Sequence, residues 1–242
     1  MKILALDSSS LVASVALVTD AVLTAEYTIN FKKTHSQTLL PMIDEITRMT
    51  ELELDTLDAI AVAAGPGSFT GLRIGSATAK GLGLALKKPL ISVSTIDAMA
   101  YGLFGFGDLV VPIMDAKRDQ VYTGIFCFEI QGGTYQMRTL RSACAVGIEE
   151  LLEELSQRGQ RVMFTGDGIL AYQRQIEERL QTEFVFAPPH LNRQRAGAVG
   201  ALAELYFAEG RIESAAEHKP DDMRLSQAER ERKERQEKEE RL

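Results

Sequence analysis

The chain has 242 residues, of which 45% are apolar, so it can bury a core in one large domain or two smaller ones. Its formal charge of −7 leaves no excess of Lys and Arg, which argues against strong independent binding of DNA or RNA. Cys127 and Cys144 are too few for a disulfide framework or a four-cysteine zinc site. With no signal-peptide pattern and no apolar run of membrane-spanning length, we expect a soluble, cytoplasmic protein with reduced thiols and no membrane contact.

The first 105 residues alternate between short apolar runs and helical patterns. Three strands come first, and then apolar residues at helical spacing, such as Leu39, Ile43 and Ile46, predict a helix. A buried strand, a long helix of small residues at 69–86, a strand at 90–93 and a further helix follow. The predicted order of this half is βββαβαβα.

The second half begins like the first. The segments "MKILALDSSSLVASVALV" and "LVVPIMDAKRDQVYTGIFCF" each place an aspartate after an apolar strand, and a shift of 108 residues superposes Asp7 on Asp115. This weak repeat predicts a duplicated α/β unit. We divide the chain into a first lobe (1–105), a second lobe (106–225) and a charged tail (226–242). The tail has six basic and six acidic residues and is expected to be disordered, although its i, i+4 pairs would suit a solvated helix.

The stretch "GPGSFTGLRIGSATAKGLGLAL", residues 65–86, is rich in glycine but matches neither phosphate-binding motif. A Walker loop needs Lys and then Ser or Thr after its second glycine, and a dinucleotide fingerprint needs a glycine where Thr70 stands. The small residues instead fall on one face of a helix: Gly71, Gly75, Ala79 and Gly83. Glycine costs a helix up to about 1 kcal/mol relative to alanine, so a close backbone approach must compensate. The stripe packs either against the chain's own sheet or first helix, or against a helix of another chain.

The sequence lacks the common catalytic motifs. It contains no G-x-S-x-G, and its three histidines, His35, His190 and His218, form no H-x-x-x-H metal pair. Asp7 and Asp115 are weak candidates for a nucleotide and metal site, because each ends the first strand of its half. Three serines follow Asp7 without a glycine, and their side chains would crowd a phosphate. We therefore assign no catalytic residue, no metal ligand and no cofactor.

Several stretches together carry a family resemblance from Met1 to about Glu229. They include "ILALDSSS", "KTHSQTLLPMID", "LDAIAVAAGPGSFTGLRIGSATAKGLGLAL", "VPIMDAKRDQVYTGIF" and "KPDDMRLSQAE". These stretches resemble the TsaB (YeaZ) family, which takes part in making threonylcarbamoyladenosine in bacterial tRNA. The resemblance implies an α/β fold of the duplicated actin-like, ASKHA (ribonuclease H-like) type. Such a fold has two lobes, each with a mixed β-sheet and flanking helices, which agrees with the internal repeat.

The resemblance also implies a role without catalysis. Family members are adaptors that bind and activate a paralogous TsaD-type transferase, which carries the metal, and a TsaE-type ATPase completes the assembly. In that transferase two metal-binding histidines follow the strand that corresponds to residues 91–93, and here Thr95 and Met99 stand in their places. We expect an accessory subunit for the synthesis of N6-threonylcarbamoyladenosine in tRNA reading ANN codons, with tRNA reached only through the complex.

The family further implies where the partner binds. Helices that correspond to about 36–49 and 69–86 form the interface with the transferase, and isolated members self-associate through the same surface, so we expect a homodimer when the chain is alone. Carried over to this sequence, the implied interface residues are His35, Leu39, Ile43, Ile46, Gly71, Leu72, Gly75, Ala79 and Leu82. A free-standing ATP-binding enzyme of the same fold and, less favoured, a metallopeptidase remain as alternatives.

Overall fold

A computed structural model describes residues 1–221, and the charged tail at 226–242 lies outside the described residues. The first of two sheets contains β1 (Lys2–Asp7), β2 (Ala13–Thr19), β3 (Val22–Ile29), β4 (Ala59–Gly65) and β5 (Leu90–Ser94). The second contains β6 (Leu109–Asp115), β7 (Gln120–Gln131), β8 (Thr134–Gly147), β9 (Val162–Thr165) and β10 (Phe184–Phe186). The helices are α1 (His35–Met49), α2 (Phe69–Leu86), α3 (Thr95–Tyr101), α4 (Ile148–Arg158), α5 (Gly168–Arg179) and α6 (Ala196–Ala208).

The two sheets have the same topology. The order is β3-β2-β1-β4-β5 in the first and, written in the equivalent direction, β8-β7-β6-β9-β10 in the second. In each sheet the first three strands are antiparallel and the last two run parallel to the first. Asp7 and Asp115 end the first strand of each sheet. The predicted duplicated, actin-like α/β fold is confirmed.

Local sequence explains the elements of the first lobe. β1 and β4 are central strands with nearly every residue buried, which is why they read as continuous apolar runs. α2 begins after Ser68, whose hydroxyl accepts a hydrogen bond from the Gly71 amide at 3.3 Å. It ends at Lys87, which adopts a left-handed φ of 56° and caps the last turn. No helix within residues 1–221 is long and apolar enough to cross a membrane.

Helices cover both sides of the first sheet. α1 and α2 pack on one side, where Leu39 and Ala79 join a cluster with side chains of β1, β2 and β4. α6 packs on the opposite side, where Val199 and Leu202 contact the face that includes Ile3. The predicted division assigns α6 to the second lobe (106–225). Its sheet is separate from the first, but α6 completes the core of the first lobe.

Residues 211–221, which we call the C-terminal strap, also return to the first lobe. Leu90 at the edge of β5 and Glu213 exchange two backbone hydrogen bonds of 2.9 Å. The amide of Asp221 donates to the carbonyl of Ala64 at 2.7 Å, next to the start of the glycine-rich stretch. The strap thus covers one edge of the first sheet and brings residue 221 close to the beginning of α2.

Side chains hold the strap in place. Lys80 of α2 donates from Nζ to the carbonyl oxygens of Ala216 and His218, at 3.1 and 2.9 Å. The buried His218 ring places Nδ1 2.9 Å from both the Ser92 hydroxyl and the Glu213 carboxylate. Ser92 and Glu213 both contact Nδ1, whereas in a Ser-His-Asp catalytic triad the serine and the acid contact different ring nitrogens of the histidine. This cluster is therefore an anchor for the strap.

Candidate partner-binding surface

The small-residue stripe of α2 faces the chain's own loop between β1 and β2. A Cβ atom at Gly71 would overlap the carbonyl oxygen of Ser8, and one at Gly75 would overlap the Ser8 hydroxyl. That hydroxyl donates a hydrogen bond to the Gly71 carbonyl at 2.9 Å. At Gly83 a Cβ would meet the side chain of Leu90 at 2.9 Å. The close approach that the glycines permit is internal, so the expectation that another chain's helix docks on this stripe is corrected.

Most of the predicted interface residues are buried in the first lobe. The exposed fraction is at most 4% for Leu39, Ile43, Ile46, Leu72 and Ala79, Gly71 and Gly75 are buried, and Leu82 packs partly buried against the same core. His35 is half-buried, with Nε2 2.8 Å from the carbonyl oxygen of Ser10. Apolar residues at helical spacing mark the side of a helix that faces its own core. The buried side chains among them therefore hold α1 and α2 on the sheet.

The opposite sides of α1 and α2 face solvent. Leu40 and Leu84 are 56% and 61% exposed, and Ala77 is exposed as well. Among the described residues, nothing lies within 4 Å of the position that a Cβ of Gly81 would take. Because both helices pack on the same side of the sheet and contact each other, their solvent sides form one surface. We call it the outer helical face: Gln37, Leu40, Asp44, Thr70, Arg73, Ala77, Gly81 and Leu84.

The outer helical face suits the approach of a second helix. Ala77 and Gly81 are one turn apart on α2, and their small size leaves that part of the surface flat. The exposed leucines of the two helices add apolar area that gains stability when it leaves water. Arg73 stacks its guanidinium over the half-exposed Phe69 ring, 3.3 Å from the ring centroid, at the first turn. The surface therefore has small residues in the middle of α2, apolar leucines beside them, and the positive charge of Arg73 near the start of the helix.

The loop after Asp7, a weak nucleotide candidate from the sequence, is filled from within the chain. Asp7, Ser8, Ser9 and Ser10 are at most 7% exposed. The Asp7 carboxylate accepts hydrogen bonds from the amide and the hydroxyl of Ser9, at 2.9 and 2.6 Å. The amide of Ser68 donates a hydrogen bond to the Ser9 carbonyl at 2.6 Å, so the residue before α2 lies directly against the loop. Burial raises the pKa of Asp7 and outweighs the hydrogen bonds from Ser9, which lower it.

Asp115, the equivalent aspartate of the second sheet, has different surroundings. Its carboxylate accepts hydrogen bonds from the Lys117 amide at 2.8 Å and from the Tyr172 hydroxyl at 3.3 Å, and it forms an ion pair with the Lys117 ammonium. Burial opposes its ionisation, but the hydrogen bonds and charge of Lys117 outweigh burial, so the pKa of Asp115 is lowered. Burial, helped by Asp115, raises the pKa of Tyr172 to about 12.

Thr95 and Met99, which the sequence resemblance equates with the transferase's metal-binding histidines, lie in α3. Thr95 is fully buried and Met99 is 5% exposed. Within residues 1–221, the Thr95 hydroxyl has no hydrogen-bond partner, and the Met99 methyl lies beside Gly166 of the second lobe. In the same part of the chain, no three His, Cys, Asp or Glu side chains are grouped as ligands of a metal ion would be.

Two equivalent mixed sheets with flanking helices define the chain as a duplicated α/β protein of the actin-like class. Residues 23–225 match the model of a family described as "TsaD: tRNA N6-adenosine threonylcarbamoyltransferase". Over 231 residues the chain is 32% identical to the "tRNA threonylcarbamoyladenosine biosynthesis protein TsaB" of Bacillus subtilis strain 168, which covers 95% of this chain and 96% of that protein. The chain therefore belongs to the TsaB (YeaZ) family.

Other relatives agree with this membership. The TsaB protein of Haemophilus influenzae is 32% identical over 194 residues, which cover 78% of this chain and 81% of the relative. The solved structure of "YeaZ from Pseudomonas aeruginosa" superposes with a TM-score of 0.76 at 28% identity, and the match covers 91% of this chain and 98% of that one. Both comparisons extend over both lobes, so the similarity includes the repeat and is not confined to the glycine-rich stretch.

Proposed function

We propose that this chain is the non-catalytic adaptor of a complex that makes N6-threonylcarbamoyladenosine in tRNA reading ANN codons. The relatives are named for threonylcarbamoyladenosine biosynthesis in tRNA, and the matching family model is described as a threonylcarbamoyltransferase. We infer that a TsaD-type transferase is the catalytic partner. Because this chain has a net charge of −7, tRNA contacts it only within the complex, which works in the cytoplasm.

The outer helical face is the observation that supports this proposal. It presents an exposed helix whose middle is formed by Ala77 and Gly81, beside the exposed Leu40 and Leu84. A helix of the transferase can approach α2 closely at the two small residues while it covers the leucines. The predicted interface helices are thus retained in the proposal, but the contact residues are those on the solvent side.

The adaptor acts by binding. It favours the active conformation of the transferase by binding that conformation more tightly than others, and the resulting pair offers the surface on which a TsaE-type ATPase docks. In the absence of the transferase the chain forms a homodimer. No cofactor or metal of its own enters this mechanism, and no bond of the substrate is made or broken by its side chains.

The surroundings of Asp7 support an adaptor over the alternative of a free-standing ATP-binding enzyme. A nucleotide site in this loop needs a carboxylate that is available to a metal or water and amides that are open to phosphate. The carboxylate of Asp7 is instead buried and bound by Ser9, and the serines beneath Ser68 are also buried.

A matched pair of arginine substitutions tests the docking surface. Ala77 on α2 and Ala171 on α5 are both exposed helical alanines, and arginine has nearly the helix propensity of alanine. We expect Ala77→Arg to lower the affinity for the co-expressed transferase by roughly tenfold or more, because a long charged side chain occupies the place of close approach. Ala171→Arg is expected to co-elute like the wild type. Size-exclusion chromatography of the pair measures both.

The same variants separate an assembly defect from a folding defect. Both are expected to unfold within a few degrees of the wild type, because both alanines are exposed. Threonylcarbamoylation of tRNA by the complete complex is expected to fall with Ala77→Arg and to persist with Ala171→Arg. Full complex formation and activity with Ala77→Arg would show that the transferase binds elsewhere.

A further inference from the structure

A groove opens at the end of α2, between that helix and the strap. Its volume is about 540 Å³, and it is lined by residues 83, 84 and 87–89 of the first lobe and residues 212–217 of the strap. Leu84 on one side and Ile212 on the other are large and apolar, yet they are 61% and 49% exposed. A concave surface with exposed apolar sides is typical of a place that another molecule covers. We call it the strap groove.

Two lysines make the α2 side of the strap groove positive. Lys87 is exposed and Lys88 is half-buried, and within residues 1–221 neither side chain forms an ion pair. The lining also contains two carboxylates, but both already have donors in the strap. Glu217 accepts a hydrogen bond from the Ser214 hydroxyl at 2.6 Å, and Glu213 belongs to the anchor of the strap. In the described part of the chain, the lysines are therefore the charged side chains of this lining that a partner can still pair.

The strap groove continues the outer helical face. Ala77, Gly81 and Leu84 follow one another along the solvent side of α2, and Leu84 also lines the groove. A helix that lies along the small residues of α2 therefore reaches the groove with one of its ends. The carboxyl end of α2 carries partial negative charge, so the end that fits there is an amino-terminal one, which carries partial positive charge. The first turn of a helix also favours acidic residues, which suit the two lysines.

We propose that the strap groove receives the first turn of a transferase helix that runs antiparallel to α2. An apolar side chain of that turn lies between Leu84 and Ile212, and its acidic side chains pair with Lys87 and Lys88. The partner is the transferase of the proposed function, on which this inference rests, and the groove adds the direction of its helix and the chemistry of its first turn.

The same charges favour the transferase over a second copy of this chain. Neither α1 nor α2 has an acidic residue in its first turn, so a second copy that lies antiparallel along the outer helical face offers no carboxylate at the groove. The exposed Lys32 and Lys33 shortly precede α1, and they would bring like charges toward Lys87 and Lys88. The strap groove therefore stabilises the complex with the transferase and adds nothing to a homodimer.

A matched pair of charge reversals tests the lysine side of the groove. Lys87 and Arg118 are both exposed cations with a left-handed φ, 56° and 57°, so Lys87→Glu and Arg118→Glu make the same charge change on the same backbone conformation. In titrations with purified transferase we expect Lys87→Glu to weaken binding by roughly tenfold, because acid then meets acid, and Arg118→Glu to bind like the wild type. Sedimentation equilibrium of the chain alone is expected to give Lys87→Glu the homodimer constant of the wild type.

A second pair tests the apolar side of the groove. Ile212→Glu is expected to weaken transferase binding by roughly tenfold, since a carboxylate replaces the apolar contact and faces the acidic turn. Leu205 on α6 is 47% exposed, close to the exposure of Ile212, and Leu205→Glu is expected to bind like the wild type. Thermal unfolding of all four variants, followed by circular dichroism, distinguishes a loss of binding from a loss of fold.

The outcomes separate the strap groove from the proposed function. If Ala77→Arg loses the transferase while Lys87→Glu and Ile212→Glu bind it like the wild type, the transferase lies on the outer helical face but not in the groove, and this inference is overturned. Wild-type affinity in all three variants would overturn the docking surface as well. An equal loss of the transferase complex and of the homodimer in Lys87→Glu would overturn the selection against a second copy.

Discussion

Asp7 and Asp115 occupy equivalent strand ends but ionise in different surroundings. Asp7 is buried and accepts hydrogen bonds from Ser9, whereas Asp115 has the Lys117 charge beside it. The pKa of Asp7 is raised above its ordinary value of 3.8, and the pKa of Asp115 is lowered below it. The structural repeat therefore preserves the position of the carboxylate while the neighbouring residues reverse its effect on stability.

The two aspartates should give opposite effects when each is replaced by asparagine. The folded chain holds a proton on Asp7 more readily than the unfolded chain does, so its contribution to stability falls as the pH rises from 3.8 through the raised pKa. Asp7→Asn keeps an acceptor for both Ser9 bonds and places a neutral amide where burial disfavours the ionised carboxylate. We expect it to raise the free energy of unfolding at pH 7. Urea denaturation between pH 7 and pH 4 measures the difference, which should shrink toward acid.

Asp115→Asn is the matched comparison. The lowered pKa means that ionised Asp115 stabilises the fold above 3.8 and loses this contribution only as the pH falls through the lowered value. Asp115→Asn should therefore be less stable than the wild type throughout the same pH range. If urea denaturation shows that the Asp7→Asn variant is also less stable than the wild type at pH 7, the Asp7 carboxylate stabilises the fold, contrary to our expectation.

Gly75 shows why the direction in which the small residues of α2 face was not predictable at the residue level. The spacing of the small residues correctly indicated a close backbone approach, but two surfaces satisfy that spacing equally well. Only the fold shows that Ser8 fills the space beside Gly71 and Gly75. Leu39 and Ile43 present the same difficulty. Their spacing predicts the helix, but the apolar side of a helix that such spacing marks is the side that packs on the chain's own sheet.

Single elements were predicted more reliably than contacts. The helix predicted at 69–86 and the strand predicted at 90–93 match α2 and β5, since periodicity and apolar runs are local signals. β10 was not predicted, because three residues contain too little periodicity to detect. The strap was also missed, since its order comes from distant groups such as Lys80 and Leu90 and not from its own sequence.

The strap should loosen when its anchor on α2 is removed. Lys80→Met keeps most of the aliphatic stem but leaves the carbonyls of Ala216 and His218 without their donor. We expect a loss of about 1–3 kcal/mol in the free energy of unfolding. Amide hydrogen exchange should become faster at Glu213 and Asp221, whose amides hold the strap to the sheet.

Lys88→Met is the control for this effect. Lys88 lies after α2 and is half-buried, so it tests the loss of a lysine in the same region without removal of the strap's donor. Its amide exchange in the strap should equal that of the wild type. Equal protection in Lys80→Met would mean that the backbone pairing of Leu90 with Glu213 is sufficient to hold the strap.

The duplication of the whole molecule could be inferred from sequence, because each half repeats an apolar strand, an aspartate and a polar turn. The return of later segments of the chain to the first lobe could not be inferred. α6 follows the second sheet in the chain but buries Val199 and Leu202 against the first, and the strap continues along the first lobe. These are contacts of high sequence separation, which no local pattern encodes.

The packing of α2 against the loop after Asp7 bears on whether the chain binds ATP. α2 and Ser68 press on the loop after Asp7, so phosphate cannot reach the loop amides unless the start of α2 moves. We therefore expect isothermal titration of the isolated chain with Mg-ATP to give no binding heat, even at millimolar nucleotide. Asp7→Ala should give the same trace as the wild type. Saturable heat that disappears in Asp7→Ala would instead identify a free-standing nucleotide site and contradict a purely adaptor role.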